Sequence, residues 1–250
     1  MATQSSIEWT EQTWNPVTGC IKVSPGCKHC YAETLAKRLQ AMGAPGYQDG
    51  FRTVTLMPER LEQPYRRRKS TVYFVNSMSD LFQEAVPFGF IDEVMAVIDA
   101  TPRHTYQILT KRAGRMAQYF ATRSVPDNAW LGVSVEDRRY GLPRIPHLQR
   151  IAAKTRFLSV EPLLEDIGEM DLAGISWVIV GGESGSKARP MKTAWAQSVR
   201  RQCERDDVDF FFKQWGAWGP DGVKRSKKQN GRELDGAIWD AMPNLIAVAS

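Results

Sequence analysis

The segment Trp177-Val178-Ile179-Val180-Gly181-Gly182-Glu183-Ser184 has the pattern that decides the fold class. It begins with four apolar residues in a row, which is typical of a short strand buried on both faces, as in a parallel sheet. Two glycines and two polar residues follow at once, where such a strand would end. A helical pattern comes next at Thr193–Glu204, so this part of the chain predicts a strand followed by a helix.

The same alternation extends along the chain. Apolar runs that predict strands lie at Val72–Val75, Tyr106–Leu109, Trp130–Val133, Arg156–Val160, Trp177–Val180 and Phe210–Phe212. Helices are predicted at Tyr31–Met42, from Pro87 onward, at Ala113–Thr122 and at Thr193–Glu204, and the segment Ile7–Asn15 is a candidate first strand. This alternation of strands and helices predicts βα units with right-handed crossovers, and therefore an α/β fold.

We expect a single TIM-like β/α barrel, partial or closed, of about six to seven parallel strands, with an open doubly wound sheet as the alternative. One domain would span residues 1–250. Residues 1–43 would hold the N-terminal strand, a loop with three cysteines and the first helix. Residues 219–250 would be a C-terminal extension that closes over part of the barrel.

Polar residues follow almost every predicted strand. In a barrel these strand ends meet on one face, where barrel active sites lie. Some of the residues, such as Ser79 or Asp80, could instead be helix caps. The candidates are Asn76, Ser77, Ser79, Asp80, Lys111, Arg112, Ser134, Glu136, Glu161, Gly181, Gly182, Glu183, Lys213 and Gln214.

Composition excludes several classes of protein. The chain has 250 residues, of which 42% are hydrophobic, so it can bury a core and does not belong to the disordered class. It contains no apolar stretch as long as a membrane span, and its first residues lack the regions of a signal peptide, so we expect a cytoplasmic protein without membrane contact.

Two basic runs in the sequence bear on whether the chain binds nucleic acid. The net charge is +5, with basic runs at Arg66–Lys69 and Lys224–Lys228. Such runs can contact nucleic acid, or they can be a solvated face and a loop. Trp215 and Trp218 follow the last predicted strand, where they could stack on a base or plug the rim of the barrel.

Three cysteines within eleven residues form the strongest motif. Cys20, Cys27 and Cys30 precede a predicted helix, and clustered cysteines in a reducing compartment indicate metal binding or catalysis. They could hold a 4Fe–4S cluster with one open iron, bind zinc together with His29 or another histidine, or form a redox dithiol. Cys203 lies on an apolar stripe of a predicted helix and is expected in the core.

These residues resemble the radical S-adenosylmethionine superfamily, in which a three-cysteine loop ending in Cys-x-x-Cys precedes a helix of a β/α barrel. The first gap here is six residues, whereas three is usual in the superfamily. A narrower resemblance, to a poorly characterised family of bacteriophage and bacterial proteins, covers nearly the whole chain. It rests on Ile7–Pro16, Cys27–Glu33, Ser159–Leu163 and Gly181–Gly185.

The resemblance implies a radical enzyme with two cofactors, a 4Fe–4S cluster on Cys20, Cys27 and Cys30 and S-adenosylmethionine bound to its open iron. Reductive cleavage would give a 5′-deoxyadenosyl radical. The candidate cofactor-binding residues are Asn76, Ser77, Ser79, Asp80, Lys111, Ser134, Glu136, Gly181 and Gly182, and Arg112 is an alternative to Lys111. Glu161, Glu183 and Lys213, with Gln214, remain for substrate and catalysis.

The two tryptophans and the two basic runs make DNA or a nucleotide-derived group the expected substrate, in base modification or photoproduct repair. A flavodoxin or ferredoxin would be the external electron donor. The alternative from another class is a non-catalytic module that binds zinc or nucleic acid.

Overall fold

Seven parallel strands form a sheet that curls into half of a barrel, with helices around its outer face. The computed structural model describes residues 3–5 and 7–244 of the chain. The strands are β1 (Thr3–Gln4), β2 (Gln12–Trp14), β3 (Val17–Thr18), β4 (Thr55–Leu56), β5 (Val72–Val75), β6 (Thr105–Thr110), β7 (Ala129–Ser134), β8 (Thr155–Val160), β9 (Trp177–Gly181), β10 (Asp209–Gln214), β11 (Glu233–Leu234) and β12 (Ala237–Ile238).

Seven α-helices accompany these strands in the described residues. They are α1 (Tyr31–Ala41), α2 (Gln63–Arg66), α3 (Phe88–Asp99), α4 (Ala113–Phe120), α5 (Ile145–Gln149), α6 (Thr193–Arg205) and α7 (Lys227–Asn230). Short 3-10 turns lie at Pro25–Cys27, Pro58–Arg60 and Leu142–Arg144. The longer helices α3, α4 and α6 follow β5, β6 and β9 respectively, which gives the strand–helix cadence that the sequence predicts.

The strand order in the main sheet is β1-β2-β5-β6-β7-β8-β9-β10. Every neighbouring pair from β2 to β10 is parallel, and β1 runs antiparallel to β2. Within residues 3–5 and 7–244, no pairing joins β10 back to β2. The predicted TIM-like fold is therefore confirmed in its partial form, and all the parallel strands end at one edge.

The predicted elements agree with the structure to within two residues at each end, except in the N-terminal segment. Of the candidate strand Ile7–Asn15, only Gln12–Trp14 pairs with the sheet. The residues before it form a turn, in which the Thr10 amide donates to the Ile7 carbonyl at 3.3 Å. That turn places Trp9 over the inner face of the half-barrel, where it is buried.

The outer face of the sheet packs against the helices. Ile91, Val94 and Ile98 of α3 are fully buried against strand residues such as Val75 and Ile108. Each such side chain contributes about 1.5–3 kcal/mol when it is removed from water. This layer fixes the helices and, with them, the loops at the carboxyl ends of the strands.

Aromatic side chains fill the inner face. Trp9 packs edge to face on Phe74, with ring centroids 4.8 Å apart, and Trp130 packs similarly on Trp177 at 6.0 Å. A Cβ atom at Gly132 would lie 2.4 Å from the ring of Phe157, so a larger residue at this strand position would displace that buried ring. Aromatic packing therefore fills the half-barrel below its carboxyl edge, which is the edge where barrel active sites lie.

The C-terminal extension lies against the last strand. The Phe212 amide donates to the Trp239 carbonyl at 2.8 Å, and Trp177 Nε1 donates to the Ala241 carbonyl at 2.8 Å. Residues 245–250 of the extension, including Leu245, fall outside the described residues, as do residues 1, 2 and 6 of the N-terminal segment. No helix in the described part of the chain is long and apolar enough to cross a membrane.

Candidate functional site

The loop Gly19–Cys30, which we call the cysteine loop, lies across the carboxyl edge of the half-barrel. Residues that follow four different strands hold it there. Gly19 bridges to Ser79 after β5, and the Ile21 carbonyl accepts from Arg112 after β6 at 3.0 Å. The remaining contacts are Ser24 with Glu136 after β7, and Pro25 with Arg189 after β9, whose Nη2 donates to the Pro25 carbonyl at 3.1 Å.

Local structure fixes the backbone at each of the three cysteines of this loop. Cys27 ends the 3-10 turn that Pro25 begins, and Cys30 is the N-cap of α1. The Cys20 amide donates to the Phe51 carbonyl at 2.7 Å, which fixes the start of the loop. All three cysteines are half-buried, whereas Cys203 is fully buried in α6, in agreement with its expected place in the core.

Burial sets the direction of the pKa shift in two of the thiols. Burial and the charge of Asp80 raise the pKa of Cys20 to about 11, against the opposing effect of Arg112. Burial likewise raises the pKa of Cys30. A negative charge on Cys27 would add to the rise in the pKa of both thiols. Bound metal would stabilise their thiolate forms instead.

Three cysteines are the donor set that this loop offers to a cluster or to a single metal ion. In the described residues, no three His, Cys, Asp or Glu side chains lie within reach of one metal ion. A cubane cluster is bound through separate irons, so its thiolates are spaced more widely than the ligands of one zinc ion. The three cysteines supply thiolates of the kind that bind such a cluster, and Arg112 Nη1 lies 3.9 Å from Cys20 Sγ.

Asp80 and Arg112 form a buried pair behind Cys20. One Asp80 oxygen accepts from the Phe82 amide at 3.0 Å and the Thr110 hydroxyl at 2.7 Å. The other accepts from the Lys111 amide and from Arg112 Nη1, both at 3.1 Å. The same Nη1 lies 3.9 Å from Cys20 Sγ. Arg112 also donates to Glu84 at 2.9 Å and to the Ile21 carbonyl, and its side chain is 5% exposed, against 20% for Lys111. Lys111 is therefore the more accessible of the two basic residues predicted to bind the cofactor carboxylate.

Glu136 supports the loop from below. It is completely buried, with Arg144 Nη1 at 2.6 Å from one oxygen and Lys111 Nζ at 3.9 Å from the other. Ser24 donates to it from the cysteine loop. Burial acts to raise the pKa of Glu136, but the charges of Lys111 and Arg144 outweigh it and hold that pKa below its usual range. A Cβ atom at Gly26 would lie 2.8 Å from the Glu136 side chain, so the loop packs directly on the carboxylate.

The other polar residues after β5 and β7 bind the backbone and side chains around them. Asn76 has a φ of 58° and its Oδ1 accepts from the Val17 amide at 3.2 Å. Ser77 donates to Asn15 Oδ1 at 3.1 Å, and Ser79 to the Val17 carbonyl at 2.8 Å. The carbonyl of the buried Ser134 accepts from Arg144 at 2.7 Å. The structure brings all of them to the predicted edge, and their contact with a cofactor stays a prediction.

Glu161 and Lys213 form an ion pair between the ends of β8 and β10. Glu161 Oε1 lies 3.2 Å from Lys213 Nζ, and both side chains are less than one-fifth exposed. Lys213 Nζ also lies 5.7 Å from the centre of the Trp9 ring. A Cβ atom at Gly181 would lie 2.5 Å from Glu161 Oε1, so this glycine makes room for the carboxylate.

Glu183 is bound to Arg189, with Arg189 Nη2 2.6 Å from Glu183 Oε1 and Nε 2.9 Å from Oε2. Burial acts to raise the pKa of Glu183, but these hydrogen bonds hold it below its usual range. Gly182 gives a close approach within the protein, because a Cβ atom there would lie 1.9 Å from the Trp215 carbonyl oxygen. Gln214 donates to Ser184 Oγ at 2.9 Å.

The two tryptophans after the last strand differ in their surroundings. Trp215 is buried against Phe212 and donates to the Glu233 carbonyl at 2.8 Å, so it plugs the rim. Trp218 is half-buried and donates to the Ala188 carbonyl at 2.7 Å. Of the two tryptophans, only Trp218 keeps exposed surface for the predicted stacking on a base.

The chain matches one family over nearly its whole length. The model of a family described as a protein of unknown function, DUF5131, matches residues 4–243. The chain belongs to the DUF5131 family. No curated protein matches the sequence significantly.

Similar solved structures give this DUF5131 protein a relative in fold. Two variants of spore photoproduct lyase match at 14% identity and a TM-score of 0.50, one over 91% of this chain and 72% of that chain, the other over 82% and 64%. In the first structures matched, the chain spans 58% and 64% of the lyase. At this identity the likeness shows the fold alone.

Sequence reasoning missed three of the residues whose contacts hold the cysteine loop. Ser24, Arg144 and Arg189 were not among the candidates, yet they complete the contacts of Glu136 and Glu183. Each lies outside the segment directly after a strand, and no local pattern marks it. The one available signal was charge, since a strand-end carboxylate that enters a barrel mouth needs a cationic partner.

Proposed function

We propose that this DUF5131 protein is a radical S-adenosylmethionine enzyme with a 4Fe–4S cluster on Cys20, Cys27 and Cys30. The observation that carries the proposal is the position of the three-cysteine loop over the carboxyl edge of a half-barrel. When bound, the cluster supplies the electron for reductive cleavage of S-adenosylmethionine. The likeness in fold to spore photoproduct lyase supports this general class of chemistry.

The chain's own residues divide the remaining work. Asp80 and Glu136 are proposed to orient the cysteine loop, Asp80 through Arg112 and Glu136 through Ser24. Their oxygens already accept hydrogen bonds within the protein, so they are assigned to positioning rather than to cofactor contact. Lys111, which keeps one-fifth of its side chain exposed, is proposed to bind the cofactor carboxylate. The hydroxyls and amides at Asn76, Ser77, Ser79 and Ser134 and the backbone at Gly181 and Gly182 are proposed to line the cofactor site.

Glu161 and Lys213 are proposed to face the substrate. Their ion pair lies at the ends of β8 and β10, above the packed aromatic layer, and is part-exposed. A pair of this kind can hold a proton or orient a polar group without the entry of bulk water. Glu183 is proposed to support the same site indirectly, because it binds Arg189, which donates to Pro25 of the cysteine loop.

The proposed substrate is nucleic acid or a nucleotide-derived group. The basic run Lys224–Lys228 lies beside the site, whereas Arg66–Lys69 precedes β5 and so lies at the opposite edge of the sheet. The solved structures of similar fold are of a lyase named for a spore photoproduct, which supports the same class of substrate.

The decisive experiment combines metal analysis with product detection. Protein purified without oxygen should be brown and contain about four irons and four sulfides per chain, as a cubane does. Incubation with S-adenosylmethionine and dithionite, which replaces a flavodoxin or ferredoxin donor, should release 5′-deoxyadenosine. Cys20→Ala, Cys27→Ala and Cys30→Ala should each lose both iron and product.

Cys203→Ala is the matched control, because Cys203 is buried in α6 away from the cysteine loop. It should keep full iron content and product formation. A colourless wild-type protein with one bound zinc would overturn the proposal in favour of a non-catalytic zinc module. Loss of iron in Cys203→Ala would overturn the assignment of three ligands.

A further inference from the structure

We propose that a basic pocket beside the mouth of the half-barrel binds a phosphodiester group of a nucleic-acid strand, an inference that rests on the proposed function. The pocket is a cavity of about 390 Å³ between the loop after β9 and the C-terminal extension. Its polar lining residues are Ser184, Ser186, Lys224, Arg225, Ser226 and Lys227.

The lining carries positive charge and no carboxylate. Lys224 donates to the Ser186 carbonyl, which places its ammonium group at the pocket wall. Arg225 pairs with Asp221 at 2.6 Å and Lys227 with Glu8 at 3.4 Å, both from outside the lining. An ammonium group has three donors and a guanidinium five, so these cations retain donors for an anion. The surface is therefore suited to a phosphate oxygen.

A hydroxyl group in the pocket is oriented as a donor. Ser184 Oγ accepts from Gln214 Nε2 at 2.9 Å, and Gln214 is itself buried. Since the serine oxygen already accepts from the amide, its own hydrogen is free for an acceptor in the pocket. Gly185, between the two serines, has a φ of 104°, and a Cβ atom there would meet nothing within 4 Å, so the pocket side of the loop is open.

The pocket is joined to the candidate site by one loop. Glu183 precedes Ser184 and is bound to Arg189, which also donates to Pro25 of the cysteine loop. Trp218 fixes the same loop by donating to the Ala188 carbonyl, and the Ala217 amide donates to the Glu183 carbonyl at 2.9 Å. A phosphodiester held in the pocket would thus be next to the mouth, with the adjoining nucleoside free to enter it.

The test measures binding of a fluorescently labelled single-stranded oligonucleotide by anisotropy at several salt concentrations. Loss of one phosphate contact in Lys224→Gln should reduce the slope of log K against log salt by about 0.7. Between 50 and 200 mM salt, this corresponds to about a threefold smaller loss of affinity. Ser184→Ala should weaken binding about two- to tenfold with an unchanged slope, because it removes a neutral donor.

Lys154→Gln is the matched control. Lys154 is exposed, pairs with Asp127 and precedes β8, so it lies at the opposite edge of the sheet. It should leave the slope and affinity unchanged. Equal effects of Lys224→Gln and Lys154→Gln, or no binding by the wild type, would overturn the inference. So would displacement of the strand by a nucleoside monophosphate at equal phosphate concentration, which would show a site for free phosphate.

Iron content and 5′-deoxyadenosine formation without substrate, measured on the same preparations, separate this inference from the proposed function. Cofactor cleavage with no dependence of strand binding on Lys224 refutes only the pocket. A protein that binds the strand through Lys224 but holds no cluster refutes the enzyme.

Discussion

Replacement of Glu136 by glutamine tests whether the cysteine loop rests on a buried charge. The carboxylate is completely buried and lies 2.6 Å from Arg144, whose side chain is 8% exposed. Glutamine keeps the volume but leaves the arginine charge without its partner. Removal of one partner from a buried pair costs about 3–5 kcal/mol. Since domains have total stabilities of about 5–15 kcal/mol, the variant should fold but unfold at clearly lower urea concentration.

The assay is urea unfolding at pH 7, with iron content determined in parallel. Ser24→Ala is the companion variant, because it removes only the hydrogen bond between the loop and the carboxylate. It should cost less, about 1.5–3 kcal/mol for a hydrogen bond to a charged group. Both variants should retain less iron than the wild type, and their double-mutant cycle should show coupling. A free energy of unfolding for Glu136→Gln within about 0.5 kcal/mol of the wild type would refute the reasoning.

The difference in unfolding free energy between the wild type and Glu136→Gln should change with pH in a defined direction. Because the folded state lowers the pKa of Glu136, its ionised form stabilises the fold at pH values above the unfolded pKa, which is about 4.3. This contribution should be lost as the pH falls through the lower folded pKa. The gap in unfolding free energy between wild type and Glu136→Gln should therefore be constant near neutrality and shrink in acid.

Two further substitutions test separate contacts. Gly182→Ala should lower the free energy of unfolding by about 1–3 kcal/mol or more, because its Cβ would lie 1.9 Å from the Trp215 carbonyl oxygen. Gly89→Ala in α3 is the control, since a Cβ atom there meets nothing within 4 Å, and it should be neutral or stabilising. Thermal unfolding measures both. Arg112→Gln should make the midpoint potential of the cluster more negative in a redox titration, because a donor and a positive charge near Cys20 are lost. Arg112→Lys, which keeps the positive charge, is the control. Equal midpoint potentials in the two variants, at equal iron content, would contradict that role of Arg112.

The local sequence pattern was sufficient to predict the strands and to place the three cysteines in a loop before a helix. Continuous apolar runs such as Trp177–Val180 predicted buried parallel strands, and all six proved to be in the sheet. The pattern gave no information on closure, which depends on whether β10 meets β2, and the structure shows an open half-barrel in its described residues. It also extended the first strand too far, because the apolar Trp9 is buried, and Ile7 partly buried, in a turn over the inner face rather than in a strand.

The sequence by itself determined the α/β class, the three-cysteine loop and the set of polar residues at one edge, because hydrophobic periodicity and residue type act over a few neighbours. Only the tertiary structure decided how those residues are used. Glu136 meets Ser24 across 112 positions, and Arg189 meets Pro25 across 164. Such pairings follow from the curvature of the sheet, which brings distant strand ends together, and no spacing along the chain encodes them. The basic run Lys224–Lys228 likewise became part of a pocket only when the extension folded back beside the loop after β9.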